Sequence, residues 1–519
     1  MNKKALRIFF ILIALLLVVL CSVSCTDSYL NDESNKFKTP SVSDKTPGAT
    51  VNVPENAKGS IKFGLFECDT LNPIETNNKA VQKYMSLVYD SLLYYDTECK
   101  PVGKIADSWK TSDGGITWEI NIKNNVYFHD GANLTVYDVK NTLEWLKNND
   151  SYYSYCAEGI VEYKVISQYD IQIILEKEDA LFPYQLTFPV MKSEDLGTQF
   201  TSPNGTGMYK YSATKENSYS FVINENYYGK FPKIKNIEIM CFDDSNALFE
   251  SSVDVILNYG DNVIKYAKTD NYTVSQFEDD IVSCMVPSSK IDIETKHFVN
   301  NAINKELLVR AAMADCAFVP DAFLPQETYF MKGFNAINST NKGTKPEKLK
   351  FIVSKQDEDL IRISNFVATE LKKEGVLCEV ITLEAKEFAV AINTEDYDFA
   401  FLNYELRCVP DVEEYFAPLG GMNYNKFSDD SVTSLILSLN NAYKEAEISG
   451  VVDTETFLSY SNGQTLKIAA RLNEVLPVIS LCRKNASVLL SENVTGVSLY
   501  NFNFWDTISF ANWEVRTDK

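Results

Sequence analysis

Apolar and polar residues alternate in short runs along the chain, and turn-forming residues separate the runs. The run 117–122, TWEINI, alternates with a period of two after a Gly-Gly turn, which predicts a half-buried strand. Further on, Thr135 stands three residues before Asp138 at the head of an apolar repeat with helical spacing. This arrangement predicts a helix with Thr135 as its N-cap and Asp138 in its first turn, where the helix dipole favours a carboxylate.

Strand and helix patterns alternate in the C-terminal third of the chain. Residues 349–353 and 376–382 are predicted strands, and 360–371 between them is a predicted amphipathic helix that ends at Gly375. The apolar run 396–402 predicts another strand, which leads directly into a polar, aromatic and charged loop. Such alternation is typical of βα units in a largely parallel sheet.

Length and charge limit the class of protein. A chain of 519 residues is too long for one core, so we expect two or three domains. Apolar residues make up 45% of it, which supports a globular body. With 71 acidic and 49 basic residues the net charge is -22, which argues against a broad basic face for nucleic acid.

The N-terminus has the three parts of an export signal. Basic residues precede the apolar run 8–20, and small residues lead to Cys25. The apolar run is too short to span a bilayer comfortably. The cysteine resembles that of a bacterial lipobox, so we expect residues 1–25 to be a lipoprotein signal with Cys25 lipidated; ordinary cleavage or a retained anchor is the alternative. Residues 26–58 are polar with few large apolar groups, which predicts a flexible tether.

The sequence contains few of the residues and motifs that are typical of enzyme active sites. The chain has only His129 and His297, which excludes a His-rich zinc site, and it has no G-x-S-x-G elbow. Nine cysteines follow Cys25, scattered and odd in number, so a complete disulfide framework is impossible. We therefore predict a non-enzyme with no metal and no cofactor. A carboxylate-dependent carbohydrate hydrolase stays open, because acidic pairs are plentiful.

Three linked motifs resemble the family 5 extracellular solute-binding proteins of ABC importers, the oligopeptide- and dipeptide-binding group. The motifs, at family spacing, are PVGKIADSW at 101–109, GITWEI at 115–120 and FHDGANLTVYDV at 128–139. They belong to the scaffold and identify no ligand. The resemblance implies an α/β fold of the periplasmic-binding-protein type (class II), two-lobed with an additional domain, in which mixed sheets are flanked by helices.

The resemblance also implies a division of the chain into domains. A discontinuous domain I is expected to combine three segments, and domain III is expected to be the second ligand-binding lobe. The expected boundaries are 59–80, 205–290 and 488–519 for domain I, 81–204 for the additional domain II, and 291–487 for domain III.

Six residues are candidates for ligand binding. In peptide-binding relatives the stretch corresponding to 403–411 lies along the cleft, and an Asp there receives the ligand's free amino group. By position Tyr404 replaces a Trp and Arg407 replaces that Asp, so a ligand carboxylate would suit this chain better, held bidentately. The alternatives are that Glu405 takes the amine or that Arg407 pairs with Glu405. The candidates are Asn77, Tyr153, Asn403, Tyr404, Glu405 and Arg407.

The function implied is capture rather than catalysis. We expect an extracytoplasmic, lipid-anchored monomer on the bacterial cell membrane that takes oligopeptides or dipeptides between its lobes and delivers them to ABC permease subunits, without contact to nucleic acid. Two alternatives stay open. One is an oligosaccharide-binding member of the same fold, favoured by the tyrosine cluster at 152–155, which ordinary packing also explains. The other is the surface-anchored hydrolase.

Overall fold

A computed structural model describes residues 57–259, 272–326, 328–336, 341–407, 409–410, 412–448, 451–452, 454–498 and 510–516. The predicted export signal, Cys25 and nearly all of the predicted tether lie outside these residues, as does part of the predicted C-terminal segment of domain I. Within the described residues, no helix is both long and apolar enough to cross a membrane.

The first half of the chain is rich in strands. Its strands are β1 Lys58–Phe66, β2 Leu93–Tyr95, β3 Pro101–Gly103, β4 Ala106–Thr111, β5 Thr117–Ile122, β6 Ile160–Ser167, β7 Asp170–Leu175, β8 Tyr209–Lys215, β9 Ser218–Ile223, β10 Ile234–Phe242 and β11 Val255–Asn258. Its α-helices are α1 Lys79–Met85, α2 Val136–Asn148 and α3 Ser245–Glu250, and short 3-10 helices span Ser154–Ala157 and Phe182–Gln185.

The second half alternates strands with longer helices. Its strands are β12 Thr273–Pro287, β13 Ala317–Phe318, β14 Lys348–Ser354, β15 Leu377–Leu383, β16 Phe399–Glu405, β17 Glu447–Ile448, β18 Val451–Val452, β19 Ile479–Leu490, β20 Val494–Thr495 and β21 Glu514–Val515. Its helices are α4 Ile293–Ala302, α5 Lys305–Ala312, α6 Glu358–Lys373, α7 Ala385–Thr394, α8 Glu413–Phe416, α9 Asp430–Asn440, α10 Ala442–Ala446 and α11 Thr454–Val475, and a 3-10 helix spans Tyr329–Met331.

Local signals in the sequence place several of these elements. The backbone N–H of Thr135 donates to the Asp138 carboxylate at 2.9 Å, and the two residues form the capping box of α2. Gly375 follows α6 with φ 79, a left-handed conformation that glycine adopts without strain. Strands β14, β15 and β16 pair in parallel and are connected through α6 and α7. The predicted capped helix and βα units are therefore confirmed.

One large mixed sheet joins two lobes. Its strand order is β15-β14-β16-β12-β19-β11-β1-β10-β9-β8, with β13 added beside β19. The antiparallel strands β12 and β19 pair from Thr273–Leu490 at one end to Met285–Ile479 at the other. At the first end β19 also pairs with β11, and at the second end β12 also pairs with β16. These two crossing strands therefore tie the lobes together.

Each end of the crossing strands belongs to a different hydrophobic core. Phe277 and Val488 join the core of β1, β10 and their neighbours, whereas Met285 and Leu481 join the core under β14 and β16. The pairing of β12 with β19 shifts register between Glu278 and Val282, where the strands pass from one core to the other. The predicted two-lobed α/β fold, with mixed sheets flanked by helices, is confirmed.

A second, four-stranded antiparallel sheet lies within residues 81–204. Its order is β4-β5-β7-β6, and α2 packs beside it. Trp118 of β5 and Leu143 of α2 are fully buried, and they belong to the same continuous core as Phe63 of β1. The segments assigned by sequence to domains I and II therefore share apolar packing, and the exact boundaries between them stay predictions.

Candidate ligand-binding cleft

A cavity of about 440 Å³ lies where β12 passes from one core to the other. This volume is in the lower part of the range for small-molecule pockets. Its walls come from α1, from the 152–158 segment, from β12 at 277–280 and from the chain after β16 at 405–407. Tyrosine is the commonest residue type in the described lining: Tyr89, Tyr94, Tyr95, Tyr152, Tyr153, Tyr155, Tyr259 and Tyr415.

Three of the predicted ligand residues line this cavity, namely Tyr153, Glu405 and Arg407. The guanidinium carbon of Arg407 lies 3.9 Å from the centre of the Tyr155 ring. Stacking on an aromatic face orients a guanidinium and leaves its N–H donors directed around the ring edge. The Tyr155 ring therefore covers one face of the Arg407 guanidinium, which places this cation at the wall of the cleft.

The neighbouring residues Asn403 and Tyr404 lie outside the lining. Tyr404 is buried in the aromatic core, 5.5 Å from the Phe323 ring centre. Asn403 points to the other face and donates to the Asp357 carboxylate at 2.6 Å. The cleft begins only where the strand ends, at Glu405. A side-chain contact from Asn403 or Tyr404 to a ligand in this cavity therefore has no support from their positions.

Asn77 is exposed in the loop before α1 and is also outside the lining. Its backbone N–H donates to the Asp69 carboxylate at 3.2 Å. Two residues later, Lys79, the first residue of α1, lines the cavity. Asn78 caps the helix by accepting from the N–H of Ala80 at 2.9 Å, so the start of α1 and the position of Lys79 are fixed locally.

Lys79 gathers three carboxylates from two other elements. Its ammonium lies 2.5 Å from Asp280, 3.2 Å from Glu405 and 3.6 Å from Asp279. Asp279 and Asp280 belong to β12, and Glu405 ends β16, so the cluster brings together parts of the chain far apart in sequence. Even with Asp279 protonated, which its raised pKa favours below about pH 8, the single Lys79 ammonium faces two further carboxyl groups, Asp280 and Glu405, so this part of the cleft favours an additional positive charge.

Burial and charge act differently on the members of this cluster. Burial, followed by the neighbouring Asp280, raises the pKa of Asp279 to about 8. Burial opposes ionisation of Asp280 as well, but the Lys79 ammonium holds the pKa of that carboxyl below its ordinary value. Burial also raises the pKa of Glu405. The pKa of Lys79 is raised by the three acids, although burial alone would lower it.

The raised pKa of Asp279 predicts a pH-dependent stability. Between its ordinary value of 3.8 and about 8, the folded protein holds a proton that the unfolded chain releases, so stability falls as pH rises through this window. We expect Asp279→Asn, which cannot ionise, to flatten this part of the melting-temperature profile. Asp429→Asn is the matched control, because the hydrogen bond from Arg471 lowers the pKa of Asp429, so the pH at which this group affects stability lies below the window. Equal slopes for wild type and Asp279→Asn would contradict the assignment.

A buried ion pair lies beside the cleft, between the crossing strands. Arg483 Nε of β19 lies 3.0 Å from Glu278 Oε1 of β12, and their side chains are 0% and 3% exposed. Arg483 also donates to the Phe323 carbonyl at 2.8 Å. Because Glu278 is at the register shift of β12, this pair holds the strands together where they leave one core for the other.

The two sides of the cleft also meet away from the crossing strands. Lys177 pairs with Glu413 at 2.5 Å, and Lys332 pairs with Glu98 at 3.2 Å. The Tyr184 ring packs 5.4 Å from that of Phe330. The two sides are therefore in contact here through exposed charges and through buried apolar packing, since Tyr184 and Phe330 belong to one continuous hydrophobic core.

No group of three or more His, Cys, Asp or Glu side chains in the described part of the chain is arranged to hold a metal ion. Lys79, Asp279 and Asp280 were not predicted from sequence. The available signal was weak: a Lys directly after a polar loop, and a run of three acids, 278–280, between Phe277 and Ile281.

Comparison with known proteins agrees with the fold. The family described as bacterial extracellular solute-binding proteins, family 5 Middle, matches residues 100–427, and the chain belongs to this family. Its members are extracytoplasmic proteins that bind small-molecule or peptide ligands and work with ABC permeases.

Individual relatives are distant. The chain is 25% identical to the nickel-binding periplasmic protein of Escherichia coli (strain K12), over 52% of this chain and 56% of that protein. It is 20% identical to the oligopeptide-binding protein AppA of Bacillus subtilis (strain 168), over 87% and 92% of the two chains. The crystal structure of a putative peptide binding protein AppA from Clostridium difficile superposes with TM-score 0.71 at 16% identity, covering 88% of this chain and all of that one (100%).

Proposed function

We propose that this protein is the lipid-anchored solute-binding component of an ABC importer, that it captures oligopeptides or dipeptides, and that Arg407 anchors the peptide's terminal carboxylate. Cys25 would carry the lipid, and the monomer would deliver its guest to the permease. The observation that carries the proposal is the cleft-lining Arg407 guanidinium, held over the Tyr155 ring. A planar, oriented guanidinium matches a carboxylate through two parallel hydrogen bonds.

A second feature of the cleft supports a zwitterionic guest. Glu405, two residues before Arg407, has a half-exposed side chain and belongs to the acid-rich cluster around Lys79. Because that cluster favours further positive charge, it suits a peptide's amino group. The cleft would then hold one end of the peptide at Glu405 and Asp280 and the other at Arg407.

The peptide side chains would rest against the tyrosine walls. Tyrosine rings provide a large apolar surface at a small cost in side-chain entropy, and they accept guests of different shape. The name of AppA from B. subtilis, an oligopeptide-binding protein aligned over nearly its whole length, is consistent with this ligand class. Binding of nickel, the metal in the name of the E. coli relative, has less support, since the described lining contains neither His nor Cys.

The two alternatives fit the cleft less well. Tyrosines also bind sugars, but here the lining also carries charged groups such as Lys79, Glu405 and Arg407. Such groups suit the charged termini of a peptide better than a neutral oligosaccharide. A hydrolase would need two carboxyl groups that flank a scissile bond. Asp280 and Glu405 instead converge on one ammonium.

Calorimetry with the purified extracytoplasmic protein tests the proposal. Short peptides with free C-termini should bind with one site per protein, and the same peptides with amidated C-termini should bind about 10- to 100-fold more weakly, because a charge-assisted pair contributes about 1.5 to 3 kcal/mol. Neutral oligosaccharides and Ni²⁺ serve as the competing ligands. Equal affinity for free and amidated peptides would overturn the role of Arg407. Binding of sugar or metal alone would overturn the ligand class.

A further inference from the structure

Two thiols from separate strands meet at one edge of the large sheet. In the parallel ladder of β1 and β10, Leu65 is opposite Cys241 and Phe66 is opposite Phe242. The ladder continues for one more bond, from the Glu67 N–H to the Phe242 carbonyl at 3.1 Å. Glu67 then adopts φ 51, a left-handed conformation that turns the chain out of the strand direction.

This turn brings Cys68 to Cys241. The two thiols lie close enough to interact directly, and both side chains pack at the border of the same hydrophobic core. Both are partly exposed, whereas five of the other six described cysteines are buried. Contact between the sulfurs removes the main obstacle to a disulfide, which is the backbone movement that separated cysteines require. Partial exposure gives an oxidant access.

We propose that Cys68 and Cys241 form a redox pair that oxidises to an intramolecular disulfide in the extracytoplasmic protein. The oxidant is a disulfide, either a small-molecule disulfide such as oxidised glutathione or that of a thiol oxidoreductase. The compartment suits the reaction, since disulfides persist outside the reducing cytosol. This inference is independent of the ligand and goes beyond the proposed function.

The chemistry assigns the two cysteines different roles. The Cys68 thiolate attacks one sulfur of the oxidant, forms a mixed disulfide and releases one thiolate. Cys241 then gives up its proton and attacks the Cys68 sulfur, which forms the Cys68–Cys241 bond and releases the second thiol. The oxidant thereby gains two electrons and the protein loses two hydrogens. The interaction with Cys241 lowers the pKa of Cys68, although burial and Asp69 oppose the shift, so Cys68 is the better first nucleophile.

The crosslink would secure the segment that positions Lys79. After Cys68, the Asp69 carboxylate accepts from the Thr76 hydroxyl at 2.6 Å and from the Asn77 N–H at 3.2 Å. Asn78 then caps α1, which begins with Lys79 in the cleft. A bond from Cys68 to β10 would fix the near end of this segment to the sheet, as α1 already fixes its far end.

Peptide mapping after oxidation tests the proposal. The full chain is incubated with oxidised glutathione and alkylated with iodoacetamide, and its peptides are separated without reductant. We expect Cys68 and Cys241 to lose alkylation together and to appear in one linked peptide two hydrogens lighter than the separate peptides. A Cys378→Ser variant, which removes the third partly exposed thiol among the cysteines that the structure describes, should leave that linked peptide unchanged. In the Cys241→Ser variant, oxidation should stop at the mixed disulfide, which appears as a glutathione adduct on Cys68.

Three results would contradict the proposed Cys68–Cys241 disulfide. They are full alkylation of both thiols after oxidation, glutathione adducts on wild type without the linked peptide, and a link that joins other cysteines. Hydrogen exchange of oxidised against reduced wild type tests the structural consequence without any substitution. Slower exchange across residues 67–79 is expected on oxidation, and unchanged exchange there would contradict the anchoring of the segment.

Discussion

Replacing Arg483 with alanine should destabilise the protein by about 3 to 5 kcal/mol, because the Glu278 carboxylate would stay buried without its cation. The two side chains are almost completely inaccessible to water, and they join β12 to β19 beside the cleft. The substitution also removes the hydrogen bond to the Phe323 carbonyl. Urea denaturation of the purified extracytoplasmic protein measures the loss.

Two further variants test whether the unpaired Glu278 charge, and not another effect of the substitution, causes the loss of stability. Replacing the whole pair, with Arg483→Met and Glu278→Leu together, should recover most of the stability, since apolar groups of similar volume substitute well for buried ion pairs. Arg471→Ala removes an arginine from a partly exposed pair with Asp429 and should cost no more than about 1 kcal/mol. If the double variant were as unstable as Arg483→Ala, the charge would not be the cause.

Replacing Arg407 with alanine should weaken the binding of a peptide with a free carboxylate by about 10- to 100-fold, while the affinity for the amidated peptide changes little. Arg407→Lys should give an intermediate loss, because an ammonium keeps the charge but cannot form the two parallel hydrogen bonds. Neither variant should lower stability appreciably, since Arg407 is at the cleft wall and not in a core.

Lys83→Ala is the matched control for charge. Lys83 also lines the cleft, and its removal lowers the positive charge of the cavity by the same amount. A similar loss of affinity in Lys83→Ala and Arg407→Ala would indicate general electrostatic attraction. A specific anchor is supported only if affinity falls in Arg407→Ala and not in Lys83→Ala, and only for peptides with a free carboxylate.

The fold could be predicted from sequence because its signals are local. The capping box of α2 involves residues three apart, and the βα units from β14 to β16 follow from periodicity and from the glycine after α6. The linked motifs then supplied the two-lobed arrangement through resemblance. None of these inferences required knowledge of contacts between distant segments.

The cleft was only partly predictable, for two physical reasons. Resemblance identified the loop after β16, but the strand pleat buries Tyr404, and Asn403 donates to Asp357 before the strand reaches the cleft. The Lys79 cluster depends on a contact across 201 residues of sequence, between α1 and Asp280. No periodicity or motif specifies such a contact.

The coupling between Arg407 and the peptide carboxylate is the most direct measure of the central claim. A cycle of four calorimetric titrations combines wild type and Arg407→Ala with free and amidated forms of one peptide. An anchor at the cleft wall predicts a coupling free energy of about 1.5 to 3 kcal/mol, with the peptide recovered intact after binding. A coupling of zero, or recovery of a cleaved peptide, would contradict the capture of a peptide by its carboxylate.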